Sequence, residues 1–229
     1  MRADGILFDK DGTLFDFAAT WEAWAVSLLK RISMGDEARA HEFGRAIGFD
    51  YSTGKYDANS VAIAGTPDDL FDAMLPLMPG VARPELIRII DEEAEAAPTA
   101  EAVPLAPFLD GLRGMGLKLG VATNDAEIPA RAHLAAAGVT ERFDFIAGYD
   151  SGHGAKPAPG MCLGFAQSVS LEPARVVMVG DSLHDLHAGR AAGMQVVGVL
   201  TGMATADDLA PHADAVLPDI GHLPGWLAQ

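Results

Sequence analysis

Gly5-Ile6-Leu7-Phe8-Asp9-Lys10-Asp11-Gly12-Thr13 opens the chain with an apolar run that ends on two carboxylates. An extended chain points residues i and i+2 to the same side. Asp9 and Asp11 are therefore expected to leave the strand end together, with Lys10 turned away from both and ion-paired on the other side. Two adjacent carboxylates repel, and a hard cation such as Mg²⁺, which favours carboxylate and carbonyl oxygens, is the usual remedy when such a pair is buried. Gly12 allows a tight turn, and Thr13 offers a hydroxyl to an anion or to the backbone. Taken alone, the same residues also make an ordinary polar turn.

Outward from this stretch the pattern repeats. Apolar runs at Leu117 to Thr123, Phe145 to Gly148, Arg175 to Val179, Val196 to Leu200 and Ala215 to Leu217 read as strands. Helices are expected between them at Phe108 to Met115, Ile128 to Ala137, Gly160 to Val169 and Leu186 to Ala192. Strands alternating with helices of this length imply right-handed β-α-β units, hence an α/β, Rossmann-like core with a parallel sheet covered on both faces. The stretch between the first strand and the rest reads differently. Trp21, Trp24, Leu28 and Ile32 form one apolar helix face, Asp36 to Ile47 a second helix, and Gly48 to Gly65 a turn-rich loop. Thr66-Pro67-Asp68-Asp69 opens a further helix toward Met78, and Pro84 to Ala97 forms another. The expected organisation is a core domain of residues 1–16 plus 99–229 and an inserted all-helical cap of residues 17–98, seated as a lid over the carboxyl ends of the strands.

Composition narrows the partners. The 229 residues are 49% hydrophobic and 21% charged, which suits a globular enzyme and not a disordered chain. A formal charge of −16, with only 16 basic residues, argues against a nucleic-acid surface. An anionic substrate then needs local help from a metal, a lysine or helix N-termini. Cys162 is the single cysteine, so no intramolecular disulfide forms and a buried hydrophobe in a helix is its expected role. The first strand starts within a few residues of Met1, and no apolar run approaches the ~18 residues of a membrane span; a cytoplasmic location with no membrane partner is expected.

The strand ends carry Asp9 and Asp11, then Thr123, then Lys156 beyond the third strand, then Asp181 with Asp185. If they converge they supply what phosphoryl transfer needs: carboxylates for one Mg²⁺, a lysine and a hydroxyl to match charge on the phosphoryl oxygens. His153, His184 and His187 have no zinc-ligand spacing. In that order, Asp9-Lys10-Asp11-Gly12-Thr13, Thr123, Lys156-Pro157 and Gly180-Asp181-Ser182-Leu183-His184-Asp185 resemble the four motifs of the haloacid dehalogenase (HAD) superfamily. The resemblance covers residues 1 to 16 and about 100 to 229. It implies that Asp9 is the nucleophile forming an aspartyl-phosphate and Asp11 the general acid and base. Thr123 and Lys156 would contact the phosphoryl group, with Asn124 and Ser182 as lesser contacts. Mg²⁺ would lie on Asp9, the backbone carbonyl of Asp11, Asp181 and Asp185, the last through water or by orienting Lys156. Lys10 departs from the resemblance, whose middle position is commonly apolar, and is expected to play no catalytic part.

An acid two residues after the nucleophile suits an ester leaving group that must be protonated, which favours a phosphomonoester hydrolase over a dehalogenase or phosphonatase. The helical insertion and Gly189-Arg190-Ala191-Ala192-Gly193-Met194 look most like phosphoglycolate phosphatase-type proteins, making 2-phosphoglycolate the expected substrate among small phosphorylated metabolites. A β-phosphoglucomutase-like phosphomutase shares the constellation, and a non-enzymatic scaffold keeping the fold is a further alternative. Substrate choice is expected from Arg45, Tyr51, Lys55 and Asn59, with Lys55 first as the cation for a small carboxylate. A monomer or homodimer is expected.

Overall fold

In the computed structural model, which describes residues 2–57, 60–64 and 66–229, the strands in chain order are β1 (Gly5–Phe8), β2 (Phe49–Asp50), β3 (Lys55–Tyr56), β4 (Lys118–Ala122), β5 (Phe145–Ala147), β6 (Val176–Gly180), β7 (Gln195–Val199) and β8 (Ala215–Leu217). Six of them form one sheet in the order β5-β4-β1-β6-β7-β8, with every neighbouring pair parallel. β1 lies in the middle, and the chain runs outward from it in both directions, the arrangement that opens a crevice beyond the strands' carboxyl ends. Register sets what lines that edge. Phe8 pairs with Val121 on one side and Val179 on the other, so the residues just past β1, β4 and β6, namely Asp9, Thr123 and Asp181, leave the sheet together.

The uninterrupted apolar character of these strands follows from burial on both faces. Ile6, Phe8, Leu119, Val121, Val177 and Val179 pack on one side with Leu105, Leu109 and Trp226. Leu7, Val176, Met178 and Val196 pack on the other with Met161, Cys162, Phe165 and Leu186. Burial pushes the Cys162 thiol up to about 12, so it stays protonated and behaves as a small hydrophobe.

Two helices begin one turn earlier than apolar periodicity suggests, each for a local reason. The helix Leu105–Gly114 accommodates Pro107 within its first turn, where the missing N–H is no loss. The helix Leu183–Ala191 starts at a capping box: the Ser182 N–H and hydroxyl donate to Asp185 Oδ2 at 3.0 and 2.6 Å. Asp185 is thereby held in the first turn of a helix and at the sheet edge at once.

Internal contacts divide the chain into Met1–Phe17 with Thr99–Gln229, and Ala18–Pro98. The second unit carries the helices Glu37–Ile47, Val61–Ala64, Pro67–Met74 and Arg83–Glu95, and nearly all of Phe17–Ile32. Trp24, Leu28 and Ile32 are buried as their spacing requires, and the Trp24 indole N–H donates to the Ile90 carbonyl at 3.4 Å. Outside that apolar seam, Arg31 pairs with Glu92 and Glu93. Thr66 caps the helix Pro67–Met74 and completes a capping box with Asp69. The departure from a wholly helical reading is small: β2 and β3 form an antiparallel hairpin, Phe49 opposite Tyr56 and Asp50 opposite Lys55, inside the stretch read as a loop. Its turn is closed by Asp50, whose carboxylate accepts from the Ser52 N–H and the Thr53 hydroxyl. Two residues per strand are too few for alternation to register in the sequence. Asn59 lies outside the described residues.

Candidate active site

β1 ends at Phe8, and its last ladder bond passes on to Asp9, whose N–H donates to the Val179 carbonyl at 2.8 Å. The chain then turns. Leu14 N–H and Phe15 N–H both donate back to the Lys10 carbonyl, and Gly12 takes φ +80°. A side chain at Gly12 would also run into the Asp181 carboxyl, since a Cβ there would lie 2.5 Å from Asp181 Cγ. The turn requires glycine on both counts. The Thr201 hydroxyl, on the segment after β7, donates to the Gly12 carbonyl at 2.6 Å and fixes the turn from outside.

Inside this turn Asp9, Asp181 and Asp185 bring one carboxylate oxygen each within 4.8 Å of one another, all three residues buried. Lys156 reaches into the group from the loop after β5. Its ammonium donates to Asp9 Oδ1 at 2.6 Å, Asp185 Oδ1 at 2.6 Å and the Ala122 carbonyl at 2.8 Å. Burial opposes its charge, but Asp185 and Asp9 outweigh burial and raise its pKa. The carboxylates are under-compensated. Burial, with the neighbouring carboxylates adding to it, drives Asp9 up to about 7 and Asp181 well above the usual carboxylate range. Three carboxylates against one ammonium leave a surplus of two negative charges in an oxygen-only donor set, which is the complement of a hard divalent cation.

Thr123 follows β4 and is buried; its hydroxyl accepts from the Asp125 N–H at 3.1 Å and retains a proton to donate. The Thr13 hydroxyl stands 3.5 Å from Asp181 Oδ1. Asn124, expected as a lesser substrate contact, is bonded to the main chain of Lys156. Its amide is spent at both ends on the main chain of Lys156, accepting from Lys156 N–H at 2.8 Å and donating to Lys156 carbonyl at 3.0 Å. That bracket aims the lysine, whose bond to Pro157 is cis. Ser182 likewise serves as a helix cap holding Asp185.

Lys10 is the plain correction. It is fully buried, and its ammonium does not turn away from the aspartates: it donates to Asp11 Oδ1 at 2.6 Å, stands 3.3 Å from Asp125 Oδ2 and 3.0 Å from His133 Nδ1. Strand alternation stops with β1 at Phe8, so the rule that placed residues 9 to 11 no longer applies where the chain turns. As a result the Asp11 carboxylate faces Lys10 and is not part of the Asp9, Asp181, Asp185 group. His133, the new member, lies on the buried side of the helix Glu127–Ala136. Its sequence signal is a histidine at the helical spacing of Ala130 and Leu134, where an apolar residue is the ordinary choice.

Within the helical unit, Lys55 donates to both oxygens of Glu22, at 2.9 and 2.7 Å. Arg45 and Tyr51 line a cavity of about 260 Å³ together with His41, Phe49, Asp50 and Asp57.

Residues 6–199 match the family model described as haloacid dehalogenase-like hydrolase. A protein of Dickeya dadantii named probable phosphatase IndB is 30% identical over 93% of this chain and 88% of its own length. The phosphoglycolate phosphatase of Nitrosospira multiformis is 29% identical over 94% of this chain and 91% of its own. Among solved structures, a predicted phosphoglycolate phosphatase of Haemophilus somnus superposes with a TM-score of 0.75 at 19% identity, over 100% of this chain and 99% of that one. That likeness establishes a shared fold.

Proposed function

The chain belongs to the haloacid dehalogenase-like hydrolase family, and on that premise we propose that it is a Mg²⁺-dependent phosphatase that cleaves the phosphomonoester of a small metabolite through an aspartyl-phosphate on Asp9. The observation that carries this reading is the bridge made by Lys156 between Asp9 and Asp185, beside Asp181. A carboxylate held by a buried ammonium has one oxygen fixed and the other available for attack on phosphorus. As the Asp9–phosphorus bond forms, the bond to the leaving oxygen breaks, and Asp11 gives that oxygen a proton. Water then attacks the phosphorus of the acyl-phosphate, Asp11 takes the proton released, and Asp9 is regenerated with inorganic phosphate. The Thr123 hydroxyl, with a proton to donate, is the candidate to meet a phosphoryl oxygen, and the Lys156 ammonium beside Asp9 offsets the charge that has to be stabilised. Asp9, Asp181 and Asp185, with the Asp11 backbone carbonyl, are the residues to hold Mg²⁺, which when bound supplies positive charge to the phosphoryl group.

For the substrate, 2-phosphoglycolate is favoured by the relatives named as phosphoglycolate phosphatases along nearly the whole chain. Its carboxylate calls for a cation. Of the cations expected from the sequence, Lys55 already has Glu22 as counter-ion, whereas Arg45 lines a cavity with His41 and Tyr51; both stay candidates.

The test is phosphate release from 2-phosphoglycolate, hexose phosphates and nucleotides, with Asp9→Asn alongside. Release that requires Mg²⁺, stops with EDTA and vanishes in the variant is the expected result. Interconversion of hexose phosphates without phosphate release would refute hydrolysis in favour of a mutase, and silence with every substrate would refute catalysis altogether.

A further inference from the structure

Lys10 occupies a place that is hard to justify by stability alone. A lysine with no exposed surface loses its hydration, and it is tolerated only where acceptors replace the water. Here the groups that replace it come from three separate parts of the chain: Asp11 in the turn after β1 and His133 on the helix after β4 accept hydrogen bonds, and Asp125 in the loop after β4 adds a negative charge 3.3 Å away. An ammonium has only donors, so His133 Nδ1 accepts, which places the imidazole proton on Nε2. The ring is itself wedged edge-on against Phe15, centroids 6.4 Å apart. Asp125 is tied down in turn by the Ala126 N–H, which donates to its Oδ1 at 2.8 Å. The contact between Lys10 and Asp11 is thus backed by His133, which is packed against Phe15, and by Asp125, which is bonded to the Ala126 N–H.

The consequence falls on Asp11. Its Oδ1 is committed to Lys10 at 2.6 Å, so the carboxyl is held by one oxygen and the other is not taken by that bond. A group that must hand a proton to a leaving oxygen and later take one from water works only when its free oxygen is held in place through both steps. We propose that Lys10, His133 and Asp125 form a buried positioning unit that holds Asp11 by Oδ1 and leaves Oδ2 to exchange the proton. This rests on the assignment of Asp11 as acid and base. Lys10 and its partners touch no reacting atom; they act through Asp11.

Leaving groups separate this role from a structural one. An alkyl phosphate must have its leaving oxygen protonated, whereas p-nitrophenolate departs without a proton. Water attack on the acyl-phosphate needs Asp11 with either ester. The experiment measures kcat and KM on 2-phosphoglycolate, or on the best alkyl ester of the panel above, and pre-steady-state release of p-nitrophenolate from p-nitrophenyl phosphate. It compares the unmodified protein with Asp11→Asn, Lys10→Met, His133→Leu and His133→Asn, all with saturating Mg²⁺.

Lys10→Met is expected to lower kcat on the alkyl ester by about 10- to 100-fold, a fraction of the full effect of an acid–base group, with KM changed less than about twofold. With p-nitrophenyl phosphate it should keep a burst close to one equivalent, followed by slow turnover. His133→Leu should show the same pattern more weakly. His133→Asn, which restores an acceptor near Nδ1, should recover most of the loss. The burst amplitude counts folded, phosphorylatable sites, so a poorly folded variant is recognised, and the histidine pair tests the unit if Lys10→Met does not fold. Slowing of the p-nitrophenolate burst itself by Lys10→Met as much as of the alkyl ester, while Asp11→Asn leaves the burst fast, overturns the positioning unit and leaves the acid–base assignment standing. Failure of Asp11→Asn to discriminate overturns that assignment, and the inference falls with it.

Discussion

Replacing Lys156 by methionine removes the ammonium that touches both Asp9 and Asp185 while keeping a side chain of similar length. What remains is a group of three buried carboxylates, Asp9, Asp181 and Asp185, left without that partner. Breaking a buried ion pair by deleting one member costs about 3–5 kcal/mol, because the charge left behind is neither hydrated nor matched. For a chain of this size about 2–4 °C of melting temperature corresponds to each kcal/mol, so Lys156→Met should melt about 6–20 °C lower in EDTA at pH 8. The carboxylates have one escape, which is to take up protons. Folded-state affinity for protons is already raised at Asp9 and Asp181 by burial, and losing the lysine that opposes it raises that affinity further. The gap between variant and wild type should therefore narrow as pH falls from 8 to 5, where uptake becomes cheap. Saturating Mg²⁺ should narrow it as well, by supplying positive charge to the same group. Thermal unfolding followed by near-ultraviolet circular dichroism, at pH 5 and 8 with EDTA or Mg²⁺, reads all of this. A gap below about 3 °C at pH 8, or one that does not change with pH, refutes the charge argument.

The unmodified protein should carry the same dependence in milder form. Asp9 and Asp125 are raised to about 7, chiefly by burial, so the folded state binds more protons than the unfolded state above the ordinary carboxylate range. Their contribution to stability is full below about pH 4 and is lost as pH rises through about 7; melting in EDTA should fall over that window, and the increase produced by Mg²⁺ should grow with pH. A second perturbation tests the packing around the carboxylates. A Cβ at Gly202 would lie 1.6 Å from Asp181 Oδ2, an impossible approach, so Gly202→Ala must displace that carboxylate. The expected outcome is at least a tenfold weaker Mg²⁺ requirement curve in phosphate release, on the scale of losing well-aligned charge-assisted contacts. An unchanged curve would mean that Asp181 does not hold the metal.

Much of this site could be read from the chain because its signals are local. Apolar runs such as Val176 to Val179 and their spacing by helices specify a parallel α/β sheet, and capping pairs such as Thr66 with Asp69 mark helix starts within four residues. The order of Asp9, Thr123, Lys156 and Asp181 then follows from the order of the strands. Tertiary structure decided what depends on register and on chain turns. Asn124 brackets the Lys156 backbone across 32 residues, and His133 meets Lys10 across 123 residues. The reversal of Lys10 has the same origin: alternation is a property of extended chain, and it ended one residue before the carboxylates it was asked to place. Sequence periodicity sets which face of an element is apolar, but the partners that a polar side chain finds beyond the element's end are set by the strands and helices that pack beside it.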